Sequence, residues 1–210
     1  MNVFDKAYME RPFLFGKTST EELIYVIDKF SITGEALELG CGDGRDTYHV
    51  LKKGMSVTAI DQSQNAINIL NDRTDLSVNE KSRLNTICAD VNDIDLSFKT
   101  YDFIYAITLF DHLNKVQGDL LLKKIFQYVK EGGYIFVKVH TVNDVGNTHE
   151  SNEISEFVSE IKHFYETDEL LSKMLLYGHV LYYLEASELD LDHGSPHTHA
   201  FASVLIRKEK

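Results

Sequence analysis

The chain has 210 residues, of which 43% are hydrophobic and 26% charged, a composition typical of one globular domain rather than of a disordered or fibrous protein. Its formal net charge of −12 opposes nucleic acid and anionic membrane surfaces as partners, because both attract lysine and arginine. Two cysteines make no disulfide framework, and we find no apolar signal core or bilayer-length apolar run, so the sequence predicts a cytoplasmic protein.

Short β-branched runs alternate with amphipathic stretches, a pattern that favours βαβ units and a mainly parallel sheet. The predicted strands are Ala36–Leu39, Ser56–Ile60, Asn85–Ala89, Phe103–Ile107, Tyr134–His140, Leu181–Ala186 and Phe201–Arg207. The predicted helices are Thr20–Phe30, Asp46–Lys53, Gln64–Asn71 and Leu120–Lys130, the last ending before Gly132-Gly133, with one or two more in Glu153–Leu176. Only a turn-rich stretch, Glu188 to His199, separates the last two strands, so they are expected to form a hairpin that adds an antiparallel strand.

The segment after the first predicted strand, Glu38-Leu-Gly-Cys-Gly-Asp-Gly44, predicts a binding loop. Gly40, Gly42 and Gly44 lack a Cβ atom, so the turn can adopt positive φ angles and a ligand can approach the backbone. The N–H groups at the start of the next helix favour a negative group such as a carboxylate. The alternative is a tight turn without a ligand, but a position between strand and helix favours the binding loop.

Acidic residues follow the second and third predicted strands, at Asp61 and Asp90. A carboxylate at Asp61 can accept both hydroxyls of a ribose, although a solvated aspartate at a strand end is just as common. Asp90 can accept a hydrogen bond from the amino group of adenine while the N–H of Val91 meets a ring nitrogen. Because the glycine loop, Asp61 and Asp90 follow different parallel strands, they are expected to line one crevice at the carboxyl edge of the sheet.

Two classes of nucleotide-binding protein remain open at this point. The dinucleotide fingerprint G-x-G-x-x-G requires a glycine at position 45, which is Arg45, so an oxidoreductase on a Rossmann fold is the weaker alternative. The stretches LELGCGDGRDT, VTAIDQS, ICADV and YDFIYAITLFDHL instead resemble the class I S-adenosylmethionine-dependent methyltransferases over almost the whole chain. The terminal hairpin agrees, since that fold ends with an antiparallel seventh strand.

The resemblance implies an α/β fold: a Rossmann-like seven-stranded mixed sheet with a C-terminal antiparallel hairpin and helices on both faces. It implies one methyltransferase domain over residues 1–210, with a lid and helix segment at 1–33 and the cofactor-binding core and substrate hairpin at 34–210. The implied function is methyl transfer from S-adenosyl-L-methionine to a small molecule, with sulfur, nitrogen or a metalloid as the preferred acceptor. A catalytically silent protein that binds the same cofactor, as a sensor or partner subunit, is the alternative.

The resemblance also implies roles for residues of the crevice. The three loop glycines would face the methionine part of the cofactor, with Glu38 supporting its ammonium group through the loop. Asp61 would bind the ribose, Gln62 would flank the adenine, and Asp90 with Val91 would contact the edge of the adenine. The backbone at Ala106 and Ile107 would contact the methionine amine.

Two shorter matches narrow the resemblance. The stretches GRDT and AFASVLIRK look like the tellurite-resistance and thiopurine methyltransferase-like group. The commonest sequence after the fourth strand of the class has a histidine where this chain has Asp111, so the methyl acceptor stays open. We include Asp111 among the candidates for the substrate pocket.

A histidine cluster lies in the predicted hairpin turn, at His193, His197 and His199. The turn is expected at the carboxyl edge of the sheet, and His197 and His199 share a face of the last strand. Three interpretations stay open: a solvated turn, a group that binds the substrate or accepts its proton, and a metal site. No metal is our first expectation; a site would need His193, His197 and His199, perhaps with Asp192, and a further ligand from His140, His149 or Asp111.

Aromatic residues precede the first predicted helix, at Tyr8, Phe13 and Phe15. They either pack on the edge of the sheet or form a lid that excludes water over the cofactor sulfonium. His112, after the fourth strand, either lines the pocket or is structural.

Overall fold

The computed structural model describes residues 3–96, 99–147, 157–190 and 197–209. Its strands are β1 (Glu35–Leu39), β2 (Ser56–Asp61), β3 (Leu84–Cys88), β4 (Tyr101–Ile107), β5 (Val129–His140), β6 (His179–Asp190) and β7 (His197–Arg207). Its α-helices are α1 (Val3–Glu10), α2 (Glu21–Phe30), α3 (Arg45–Lys52), α4 (Gln64–Asp72), α5 (Val78–Lys81), α6 (Lys115–Tyr128) and α7 (Glu169–Met174). Short 3₁₀ turns lie at Phe110–His112, Val145–Asn147 and Val158–Glu160.

One sheet of seven strands, in the order β3-β2-β1-β4-β5-β7-β6, organises the described residues. The strands β1 to β5 pair in parallel, and β7 runs antiparallel to both of its neighbours, β5 and β6. The predicted mixed sheet with a terminal antiparallel hairpin is therefore confirmed. The carboxyl ends of β1 to β6 share one edge.

Two apolar clusters cover the two faces of the sheet. Alternate residues of β4 divide between them, since successive side chains of a strand point to opposite faces. Phe103 and Tyr105 pack with α2, α3 and α4, whereas Ile104 and Ala106 pack with α6 and α7. Helices thus cover both faces, as predicted. Among the described residues, no helix is long and apolar enough to cross a membrane.

The boundary between α6 and β5 differs from the prediction. The helix begins at Lys115, where Asn114 and Gln117 form a capping box, and it ends at Tyr128. Gly132-Gly133, which predicted a helix stop, lies inside β5, between the pairs Val129↔Tyr101 and Tyr134↔Phe103, where the register shifts. A Cβ at Gly133 would lie 2.9 Å from the Asp102 carbonyl oxygen, so these glycines serve a bulge in the sheet rather than a helix end.

Two further predictions were wrong in part, and one helix was not predicted. The hairpin is longer than predicted, because Glu188↔His199 and Asp190↔His197 are paired strand residues rather than a turn. The predicted helix Glu153–Leu176, partly outside the described residues, is reduced to the turn Val158–Glu160 and α7, which starts only at Glu169. Helix α1 was not predicted at all; Asp5 anchors it by accepting hydrogen bonds from the Ser63 hydroxyl and the Asn65 backbone at the start of α4.

Candidate active site

A cavity of about 760 Å³ lies at the carboxyl edge of the sheet, a size within the range of small-molecule sites. We call one part of its wall the glycine end, formed by Glu38, Gly40, Gly42, Asp61, Gln62, Asp90, Val91 and Ile107. We call the other part the histidine end, formed by Phe4, Phe15, His112, His140, Phe157 and His199. Strands far apart in sequence therefore contribute to one cavity.

Two of the three loop glycines line the glycine end. Gly40 and Gly42 have φ angles of +72° and +52°, which residues with side chains rarely adopt. A Cβ at Gly42 would lie 2.3 Å from the Tyr8 hydroxyl, so α1 closes over the loop from outside. Gly44 is not part of the cavity wall: it caps α3, and a Cβ there would meet Leu70 at 2.3 Å. Its predicted contact with a ligand is thus replaced by a packing role.

Asp61 is fixed by the backbone of two loops. Its Oδ2 accepts a hydrogen bond from the Gly42 N–H and its Oδ1 from the Ser63 N–H, each at 2.8 Å. Burial raises the pKa of this carboxyl even though both hydrogen bonds act to lower it. The carboxylate therefore joins the glycine loop to the end of β2 while still facing the cavity.

Glu38 lies at the bottom of the glycine end, and its side chain is almost fully buried. The Thr47 hydroxyl and the Tyr105 hydroxyl both donate to its Oε2, the latter at 2.9 Å. Burial, together with the nearby Asp46 carboxylate, raises the pKa of Glu38 to about 8. A cationic group bound in the cavity would favour ionisation of Glu38, since opposite charges stabilise each other.

The remaining residues predicted for the glycine end divide into wall and core. Gln62, Asp90, Val91 and Ile107 line the cavity, and Asp90 accepts hydrogen bonds from the backbone and side chain of Asn92. Ala106 does not line it, because its side chain is buried in the apolar cluster beneath.

The histidine end holds two imidazoles, each bound to a buried carboxylate. His199 donates from Nδ1 to Asp144 at 2.9 Å, and His140 donates from Nδ1 to Asp111. The two rings are 5.0 Å apart between centroids. Burial acts to raise the pKa of Asp111 and of Asp144, but the adjacent imidazoles outweigh it, so both pKa values lie below the ordinary one.

The histidine predictions were only partly met. His199 lines the cavity as expected, but Asp111 lies beneath the wall and contacts His140 instead. His197 is described only as a strand residue paired with Asp190, with nothing given for its side chain, and His193 lies outside the described residues, as do Asp192 and His149. His140 was considered only as a spare metal ligand, and Asp144 was missed, because no local motif marks either one.

Aromatic rings cover the histidine end. Phe4 stacks on Phe157 at 5.3 Å between centroids and meets the edge of His112 at 4.9 Å, while Phe15 meets Phe157 at 5.4 Å. His112 and Phe15 therefore line the cavity, as the sequence allowed. Phe13, predicted for the same lid, instead lies beneath the side chains of Lys17 and Arg73.

A buried ion cluster supports the same end and was also missed. The Lys138 ammonium contacts Glu22 at 2.9 Å and Glu188 at 2.7 Å, and it lies 4.2 Å from the centre of the Phe201 ring. Burial acts to raise the pKa of Glu22, but Lys138 holds it below its ordinary value. A lysine inside an apolar strand was the one available sequence signal, since buried charges require partners.

These features have counterparts in known proteins. Residues 36–133 match the model of a methyltransferase domain. This segment is therefore similar to a methyltransferase domain. It contains β1 to β4, the glycine loop, Asp61 and Asp90, which are the parts of the chain that form the glycine end.

Relatives agree with this match. The chain is 28% identical over 166 residues to a protein of Haemophilus influenzae named probable S-adenosyl-L-methionine-dependent methyltransferase TehB, covering 73% of this chain and 56% of that protein. It is 30% identical over 131 residues to pavine N-methyltransferase of Thalictrum flavum, covering 59% of this chain and 35% of that enzyme. The chain thus spans about half, or less, of the length of these relatives.

Solved structures share the fold. The crystal structure of TehB from Haemophilus influenzae superposes with a TM-score of 0.70 at 22% identity, covering 90% of this chain and 62% of that one. A second solved structure is described as "Conversion of a Disulfide Bond into a Thioacetal Group during Echinomycin Biosynthesis". It superposes with a TM-score of 0.72 at 19% identity, covering 99% of this chain and 92% of that one. The resemblance to class I S-adenosylmethionine-dependent methyltransferases, inferred from short motifs, is therefore confirmed at the level of family and fold.

Proposed function

We propose that this chain transfers a methyl group from S-adenosyl-L-methionine to a small-molecule nucleophile. The observation that carries the proposal is the convergence of the positive-φ glycine loop, Asp61 and Asp90 on one wall of a cavity whose other wall holds imidazoles and aromatic rings. The methyltransferase domain and the relatives support the same cofactor.

The residues of the glycine end fit the parts of this cofactor. Gly40 and Gly42 line the cavity, and the fixed carboxylate of Asp61 can accept hydroxyl hydrogens of a ribose. We assign Asp90 and Val91 to the adenine edge, since both line this end of the cavity. The buried carboxyl of Glu38 sits where a positive ammonium would stabilise its charge. Bound in this cavity, the cofactor would supply a methyl group activated on a sulfonium.

The protein contributes alignment and the exclusion of water to such a transfer. Tyr8, Phe4 and Phe15 form the cover on the helix α1 side, and an aromatic face also stabilises a sulfonium by cation–π attraction. A thiolate or a neutral amine attacks without further help, whereas a hydroxyl or a protonated amine must first lose a proton. His140 and His199 are the groups at the histidine end that we assign to this step, since each carries an imidazole held by a buried carboxylate.

The acceptor we propose is a small molecule that presents sulfur, nitrogen or a metalloid, in that order. The enclosed cavity and the net charge of −12 favour it over nucleic acid. The similarity to pavine N-methyltransferase and to TehB is consistent with these acceptors. Each name describes the relative and not this chain.

Calorimetric titration of the full chain with S-adenosylhomocysteine tests the cofactor, with NAD titrated in parallel. We expect micromolar binding of S-adenosylhomocysteine and none of NAD. Asp61→Ala should weaken the binding by roughly 100-fold, since the carboxylate positions both the loop and the ribose. Asp72→Ala, at an exposed aspartate ending α4, is the matched control and should change nothing.

Binding of NAD, or equal binding by Asp61→Ala and the wild-type chain, would overturn the assignment of the cavity. With the cofactor established, a screen of thiols, amines and oxyanions of metalloids with S-adenosylmethionine, followed as release of S-adenosylhomocysteine, tests the transfer. Failure of every class at single turnover would favour the silent cofactor-binding protein over the enzyme.

A further inference from the structure

We propose that His140, Asp144 and His199 bind a divalent transition-metal ion at the histidine end of the cavity. One ligand atom from each residue can be chosen so that all three atoms lie within 4.8 Å of one another. His199 Nδ1 and Asp144 Oδ2 are already 2.9 Å apart, about the separation of neighbouring ligands around an ion with bonds of roughly 2.1 Å. Two imidazoles and one carboxylate form a donor set that suits zinc, iron or manganese rather than magnesium or calcium.

The fold brings the three ligands together from distant parts of the chain. His140 ends β5, where it pairs with Phe201 of the antiparallel strand β7. His199 lies two positions before Phe201 on the same strand, so both rings reach the same edge of the sheet. Asp144 lies in the turn that follows β5 and accepts from the Ala200 N–H at 2.8 Å. The ligands therefore sit on paired strands and a tied turn rather than on free loops.

Supporting hydrogen bonds orient the ligands as in metal sites. Asp111 accepts from His140 Nδ1 and also from the His140 backbone N–H at 3.2 Å, which leaves Nε2 as the coordinating nitrogen of that ring. A carboxylate behind a metal-bound imidazole is the usual outer partner of such ligands. Asp144 is held in turn by the Gly146 N–H at 2.7 Å and by Ala200.

The charges of the cluster also call for a cation. Asp111 and Asp144 are almost fully buried. Buried carboxylates are costly unless they are compensated. Lys138 is engaged by Glu22 and Glu188, whereas a divalent ion would balance the cluster directly.

An ion here would have a role in the reaction proposed above, and this role rests on that proposal. His140 and His199 line the cavity, so an acceptor hydroxyl, thiol or amine at the histidine end would lie beside the metal. A group bound to such an ion would release its proton to water more readily and so become a better nucleophile. The metal alternative of the sequence used His193, His197 and His199, with His140 as one option for a further ligand, so the two sites share His199 and, in that option, His140.

Metal analysis of the full chain tests the site. Protein purified without chelators is analysed for bound metal, and chelator-treated protein is titrated with Zn²⁺ and separately with Mg²⁺. We expect about one equivalent of Zn²⁺ and no binding of Mg²⁺. His140→Ala and His199→Ala should each lose roughly 100-fold or more in Zn²⁺ affinity, and Asp111→Asn about 10- to 100-fold. His179→Ala, at the amino end of β6 and away from the cavity, is the matched control and should bind Zn²⁺ as the wild type does.

Each variant is also titrated with S-adenosylhomocysteine, which reports an intact glycine end independently of the metal. Equal Zn²⁺ binding by the wild type and by His140→Ala and His199→Ala, with S-adenosylhomocysteine binding retained, would overturn the metal site and leave the two histidine–carboxylate pairs as proton acceptors. If the wild-type chain does not bind S-adenosylhomocysteine, the proposed function is refuted, whatever the Zn²⁺ result.

Discussion

The two ends of the cavity are held together by different physical means. At the glycine end, short connections between a strand and the next helix place the ligand-facing groups, and positive φ angles at glycine set their shape. At the histidine end, charged and polar side chains from β5, β7, α2 and separate turns bind one another, as in Lys138 with Glu22 and Asp144 with His199. A backbone-built wall depends on the absence of side chains, whereas a wall of side chains depends on keeping every partner.

This difference indicates which end of the cavity can change in sequence without disturbing the other. In the proposed function, the glycine end binds the cofactor that methyltransferases share, and its residues follow local sequence patterns. In the same proposal the histidine end faces the acceptor, and most of its residues, such as His140 and His199, lie outside residues 36–133. Specificity can therefore change there without disturbing the cofactor wall, provided that buried charges remain balanced.

The largest expected effect tests the charge cluster of the histidine end. Lys138→Met removes the ammonium from the almost fully buried Glu22, and breaking such a pair should lower the free energy of unfolding by about 3–5 kcal/mol. Urea unfolding of the variant and the wild type measures this change in the free energy of unfolding. Lys99→Met removes an exposed partner of Glu35 and should cost less than about 1 kcal/mol. Equal stability of the two variants would show that charge does not hold this end.

The next effect tests the backbone of the glycine end. Gly44→Ala places a Cβ about where Leu70 lies, at a φ of +84°, and strain with overpacking should cost about 2–4 kcal/mol. Gly54→Ala has a similar φ of +91° but meets nothing within 4 Å, so it should cost only about 1 kcal/mol. Urea unfolding of both variants isolates the packing contribution. If Gly44→Ala loses no more free energy of unfolding than Gly54→Ala, the close packing of Leu70 against Gly44 is not what makes this position costly.

The smallest expected effect concerns Glu38, the buried carboxyl of the glycine end. Its pKa of about 8 in the folded chain exceeds its ordinary value of 4.5, so the folded state holds the proton more tightly than the unfolded state. Stability from this group is therefore fully present below its ordinary pKa of 4.5 and is lost as pH rises through about 8, by about 2 kcal/mol between pH 6 and 8.

Glu38→Gln keeps the shape of the side chain but cannot ionise. Urea midpoints at pH 6, 7 and 8, measured without ligand, should fall more steeply with pH in the wild type than in this variant. Other titrating groups affect both proteins equally, so the difference reports Glu38 alone. Parallel pH profiles would show that Glu38 is already ionised in the folded chain.

The sequence by itself determined the glycine end and the class of fold. The order of strands and helices, the loop from Glu38 to Gly44 and the strand-end positions of Asp61 and Asp90 are local patterns, and each could be recognised within a few residues. The parallel arrangement then required that these segments meet at one edge of the sheet. For that reason the fold was predicted correctly, and most of the residues predicted for the glycine end line the cavity.

Only the tertiary structure decided the histidine end. Asp144 and His199 are 55 positions apart, and Asp111 and His140 are 29 apart, so no spacing in the sequence links either pair. Their meeting depends on the register between β5 and β7, which places His140 beside Phe201. Register is set by packing across the whole sheet rather than by neighbouring residues, because each pair of strands must bury its apolar faces on both sides. The same reason hid the partners of Lys138 and the true extent of the hairpin.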